Sequence, residues 1–170
     1  PFTTTVVVNS NHDRALNRWL KEADYRNDPV NAEVFLHLQA KTYESIRVGD
    51  EEFSPMSWAL TDLFDVNNEV VFLGQDDSFL VGAIECGMHG DRGANGSRAT
   101  TRQLSKIGPK TNSGHTHSAT IVDGAFTAGV SGKLEQGYNT GPSSWSHSHI
   151  VQYFNGQRTI VTMQNGKWHA

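Results

Sequence analysis

The chain carries one cysteine, Cys86, so no internal disulfide can form, and without a Cys-x-x-Cys pair it has no thiolate cage for structural zinc. Any metal must be held by His, Asn, Asp or Glu. Long apolar runs are missing too: nothing approaches the ~18 consecutive apolar residues of a membrane span, and the first residues form neither a basic region nor an apolar signal core. These absences predict a soluble, cytoplasmic protein with no membrane partner. Position 1 is Pro1 rather than methionine, so the sequence reads as a fragment or processed piece.

What is present fits one domain spanning 1–170, since 170 residues with 36% hydrophobic content suffice for a core. The net charge of −4 conceals a division. Residues 1 to 85 hold 6 Lys and Arg against 15 Asp and Glu, whereas residues 86 to 170 hold 8 against 3. Glycine divides the same way, 3 against 13. The first part therefore reads as helix-rich and the second as strands and tight loops.

Periodicity places the elements. The β-branched run Thr3 to Val8 reads as a buried strand feeding a polar loop, Asn9 to His12. Asp13 is a candidate N-cap for a helix over Ala15 to Glu22, with Leu16, Trp19 and Leu20 on one face. Asp28-Pro29 predicts the start of a second helix carrying Val34, Phe35, Leu38 and Tyr43, and Ser54-Pro55 that of a third running towards Phe64. Glu69 to Leu73 and Phe79 to Ile84 read as buried strands. Ile150 to Phe154 and Arg158 to Met163 flank Asn155-Gly156, a strong hairpin signal.

Chemistry-bearing residues gather where strands end: Ser10-Asn11-His12-Asp13, Gly87-Met88-His89-Gly90 and Gly114-His115-Thr116-His117. Loops at the carboxyl ends of strands in an α/β sheet share one crevice, so ligands distant in sequence can meet there. Imidazole with an amide oxygen suits manganese, iron or zinc rather than calcium. On an extended segment His115 and His117 face the same side, within reach of adjacent ions about 4 Å apart.

In that order and on those junctions, Asn-His-Asp, Gly-x-His-Gly and Gly-His-x-His resemble the last three signature blocks of the calcineurin-like metallophosphoesterases. His89 to Arg98, and Gly137 to Trp145, are similar to a phage-encoded branch with DNA-transfer or DNase-type members. The resemblance implies an α/β fold with a mixed sheet and helices, the C-terminal part of an αββα four-layer sandwich. It implies two divalent ions, manganese first and iron or zinc as alternatives. Asn11, His89 and His115 become ligands of one ion and His117 of the other, while His12 contacts the scissile phosphate and protonates the leaving oxygen. The implied reaction is phosphoester hydrolysis, by a phosphodiesterase or nuclease acting on DNA in the cytoplasm, that of the host for a phage protein.

The family's opening Asp-x-His and Gly-Asp blocks do not precede Asn11. The expected partner is therefore an N-terminal half that supplies the remaining ligands, and the centre is incomplete in this chain alone. The alternatives are a phosphomonoesterase, or a binding or structural module that keeps the motifs without catalysis. Arg92, Arg98, Arg102, Lys106 and Lys110 form a basic cluster, read either as a solvated face or as a rim for a nucleic-acid backbone. Arg98 is the candidate substrate-binding residue, because Asn95-Gly96-Ser97 lets the chain turn closely around a phosphate. The cluster itself lacks aromatics, which predicts contacts that ignore sequence. His37 and His169 read as ordinary surface or packed histidines, His147 and His149 as one face of a strand, and Cys86 as a buried, inert thiol.

Overall fold

The computed structural model describes residues 4–63 and 69–168. It shows a mixed α/β protein whose chain forms two compact units, Pro1–Gln75 and Asp76–Ala170.

In the first unit β1 (Thr5–Val7) pairs in parallel with β2 (Val70–Phe72), Thr5 opposite Val70 and Val7 opposite Phe72. A parallel pair needs a crossover, here built from helices α1 (Asn11–Glu22), α2 (Ala32–Val48) and α3 (Pro55–Trp58). Leu20, Phe35, Leu38 and Ala59 form the core, with Leu16, Trp19 and Trp58 packed against it. Trp19 meets Phe35 edge to face at 4.8 Å between ring centroids.

Two helix starts differ from expectation. The first helix begins at Asn11, because Ser10 and not Asp13 is its N-cap. The Ser10 hydroxyl accepts from the His12 amide at 3.1 Å, while the Asp13 carboxylate accepts from the Ser10 amide at 2.8 Å. The second begins at Ala32 rather than after Pro29: Asp28 to Asn31 form a turn in which the Asn31 amide side chain donates to the Asp28 carboxylate at 2.9 Å. Ser54 caps α3 as expected, its hydroxyl accepting from the Ser57 amide. The proposed ends at Thr3 and Phe64 lie outside the described residues.

The second unit holds a five-stranded sheet in the order β3-β4-β5-β7-β6 (Leu80–Val81, Ile84–Glu85, Lys110–Ser113, Ala125–Thr127, Thr120–Val122). The central strands β4, β5 and β7 run parallel, and the edges β3 and β6 are antiparallel to them. Phe79 to Ile84 is thus not one strand. Gly82, with φ +62°, turns the chain back so that Leu80 faces Glu85. The short helix α4 (Thr101–Leu104) lies between β4 and β5 in sequence, and Leu104 packs with Ala99 and Ala125 over the sheet, joined by Met88 and Ile107.

The expected hairpin is present as β8 (His147–Gln152) and β9 (Arg158–Gln164), turning through Gly156 at φ +80°, and β10 (Lys167–Trp168) adds a third strand. Arg158 fastens β9 to the larger sheet. Its guanidinium donates to the carbonyls of Thr111 and Gly124, each at 2.7 Å, and lies 4.0 Å from the Phe126 ring centroid.

Candidate functional site

Because β4 and β5 are parallel neighbours, their carboxyl ends open on the same edge of the sheet, and the chain leaving each carries a histidine there. His89 follows β4 by four residues and His115 follows β5 by two. The loops are joined through the backbone, with the Gly114 amide donating to the His89 carbonyl at 2.8 Å. Gly90 makes this approach feasible: its φ is +102°, and a Cβ there would come within 3.1 Å of Ser113 Cβ. Met88 plugs into the core beside it. The result places His89 Nε2 and His115 Nδ1 3.2 Å apart, with the rings at 74°.

That separation suits either of two chemical states. Without an ion, one imidazole N–H donates to the other ring. With one, two nitrogens bonded at ~2.0–2.1 Å and near-tetrahedral angles lie about 3.3 Å apart, so the pair fits two adjacent positions on one divalent ion. Among the described residues, no group of three or more His, Cys, Asp or Glu side chains forms a metal cage.

The expected extended run over Gly114 to His117 is absent. His115 and His117 occupy the left-handed region, at φ +68° and +61°, in a bend where the Thr116 amide donates to the Gly114 carbonyl at 2.8 Å. Strict alternation therefore does not position this pair. The His117 ring stands edge-on to Trp145, 4.3 Å between centroids, and its carbonyl accepts from the Ser146 amide at 3.1 Å. Non-glycine residues in this region cost roughly 1–3 kcal/mol each and persist where surrounding contacts enforce them.

Asn11 and His12 occupy the first turn of α1 in the other unit, held by the Ser10–Asp13 capping box rather than by a loop.

Arg98 is exposed, and its backbone bridges that of Arg92 across a tight turn. Asn95 and Gly96 adopt φ +57° and +74°, and the Gly93 amide donates to the Ser97 carbonyl at 2.8 Å. The expected turn is therefore present. Within the basic cluster Arg92 contacts Asp76 at 2.6 Å, whereas Arg102 and Lys106 are exposed on and just after α4.

Sequence reasoning missed the support beneath the His89 loop. Glu85 is nearly buried, and its carboxylate accepts from the Ser78 hydroxyl and from the amides of Phe79 (3.0 Å) and Gly87 (2.7 Å). Burial pulls its pKa upward, but these donors outweigh that and hold it below its ordinary value. Gly87 is obligatory here, since a Cβ would lie 2.7 Å from the Asp77 carbonyl oxygen. Cys86 is half-buried rather than buried: desolvation pushes its thiol up, only partly countered by the Asn112 side chain at 3.4 Å. His147 Nε2–H donates to the Gly132 carbonyl at 2.8 Å, and the residue shares a face of β8 with exposed His149. His37 packs beside Trp58, and His169 lies outside the described residues.

The fold and site together define a mixed α/β protein with a histidine pair at the carboxyl edge of a largely parallel sheet. The chain is similar to Protein A1 of Escherichia phage T5, with 46% identity over 171 residues covering 99% of this chain and 31% of that protein. It thus spans about a third of the length of that relative. No family model and no solved structure matches the chain. No helix among the described residues is long and apolar enough to cross a membrane.

Proposed function

We propose that this chain supplies part of the two-metal centre of a calcineurin-like phosphodiesterase that cleaves DNA, within a longer phage protein acting in the host cytoplasm. The observation that carries this reading is the 3.2 Å approach of His89 Nε2 and His115 Nδ1 on loops leaving adjacent parallel strands. Asn11 would join that pair on one ion and His117 would serve the second, with the N-terminal half adding the remaining ligands. Divalent ions, manganese foremost, would supply Lewis acidity and a hydroxide at neutral pH. His12 would protonate the leaving oxygen, a task suited to an imidazole near neutrality. Arg98 would hold a backbone phosphate with its guanidinium fork.

The test uses the full-length protein with manganese, digesting plasmid and single-stranded DNA at low and high salt. His115→Asn is expected to lose metal and cleavage together, whereas His12→Asn keeps metal and loses ~10²–10⁴ in rate. Changing Arg98, Arg102 and Lys106 together to alanine is expected to flatten the salt dependence of DNA binding, because fewer counterions are released. Robust hydrolysis of a simple monoester without DNA cleavage would favour the phosphomonoesterase. Metal-loaded protein inert towards every ester would favour a binding module.

A further inference from the structure

The third parallel strand, β7, also ends at the edge that carries the histidines, and residues 128–146 leave it as a long loop. Its two ends are drawn together very closely. The Val130 amide donates to the Ser146 carbonyl at 2.8 Å and the Gly129 amide to the Ser148 carbonyl at 2.9 Å. A Cβ on Gly129 would lie 2.0 Å from the Ser146 oxygen, so only glycine permits this closure. The closure fixes Trp145 beside His117, and the Ser118 and Ser144 hydroxyls, 2.7 Å apart, tie the loop to the His117 segment again.

Outward from Trp145 stands Tyr138, its ring 5.6 Å away at 63° and 67% exposed. It is not loosely held. Its hydroxyl donates to Gln136 Oε1 at 2.9 Å, the Gln136 amide donates to Asn139 Oδ1 at 2.9 Å, and Asn139 Nδ2 donates to the Leu134 carbonyl at 3.0 Å. An exposed aromatic ring braced by its own loop is organised for a contact rather than for folding, because its apolar face gains nothing from water.

We infer that Tyr138 and Trp145 form a stacking platform for a nucleobase of single-stranded nucleic acid, next to the phosphate that the histidine site would engage. The inference rests on the phosphodiesterase reading for its substrate class. The basic cluster itself lacks aromatics, whereas the loop leaving β7 carries Tyr138 and Trp145 and sets Trp145 against His117. Every base has a π-face, so the platform favours unpaired strands without selecting sequence. A paired base has its faces occupied by its neighbours in the stack and cannot use it.

The experiment measures binding of the full-length protein, with EDTA present, to a single-stranded oligonucleotide containing 2-aminopurine and to the same oligonucleotide made of abasic residues. Wild type is expected to quench 2-aminopurine and to prefer the base-bearing strand. Tyr138→Ala should weaken that binding about ten-fold or more, to the level of the abasic strand, and abolish the quench. Tyr138→Phe, which keeps the ring and loses the Gln136 bond, should retain both. Equal binding of the two strands by wild type, or unchanged quenching in Tyr138→Ala, would overturn the platform. Wild-type cleavage of the abasic strand with manganese tests the phosphodiesterase reading separately, since that strand offers a phosphodiester and no base.

Discussion

Glu85 shows how one buried carboxylate can hold up a loop it does not enter. The donors from Ser78, Phe79 and Gly87 favour its charged form and lower its pKa, so its contribution to stability is fully present above the ordinary value of 4.5 and is lost as pH falls through the lower folded value. Glu85→Gln would turn an amide N–H₂ towards donors that need an acceptor. At pH 7 the variant is expected to lose about 1–3 kcal/mol in urea unfolding. The gap between wild type and variant should narrow as the measurement moves from pH 5 to pH 3. A gap that widened on acidification would mean that the carboxylate is strained rather than satisfied. No sequence pattern marked Glu85 as buried.

At the scale of an element, the start of α1 matters most, because it determines what kind of backbone carries Asn11 and His12. Ser10 and Asp13 satisfy each other's amides and fix the first turn. Ser10→Ala is expected to cost about 1 kcal/mol in thermal unfolding, with hydrogen exchange rising first in residues 11–14. An unchanged exchange pattern there would show that packing, not the cap, fixes the turn. The Ser-x-x-Asp signal was present in the sequence. Asp13 is itself a good cap, however, and only the backbone geometry decides between two caps three residues apart. The Gly82 turn was hidden similarly, since Phe79 to Ile84 is apolar enough to suit one buried strand or a tight hairpin.

Across the whole chain, the two units have separate apolar clusters, one around Phe35 and Leu38 and the other around Leu104 and Ala125. Phe35 and Leu104 are each 1% exposed. Phe35→Ala is expected to cost about 3–5 kcal/mol and Leu104→Ala about 2–5 kcal/mol. Hydrogen exchange should accelerate chiefly within 4–63 for the first and within 76–168 for the second. Acceleration spread evenly over both ranges in either variant would show that the clusters melt as one. The change in charge and glycine content near position 85 reads as a change of element type within one domain, whereas the two units divide at Gln75 and Asp76, because composition is an average and a unit is closed by particular contacts.

By itself the sequence determined the mixed α/β class, the Asn155-Gly156 hairpin, the turn before Arg98 and the placing of His89 just beyond a strand end. All of these follow from local period and turn chemistry, which act over a few residues. Tertiary structure alone decided that β4 and β5 lie side by side and bring two imidazoles 26 residues apart to 3.2 Å. It likewise decided that Trp145 reaches His117 through the closure at Gly129. Strand order and loop closure depend on which surfaces bury one another across the chain, and no local pattern encodes that choice.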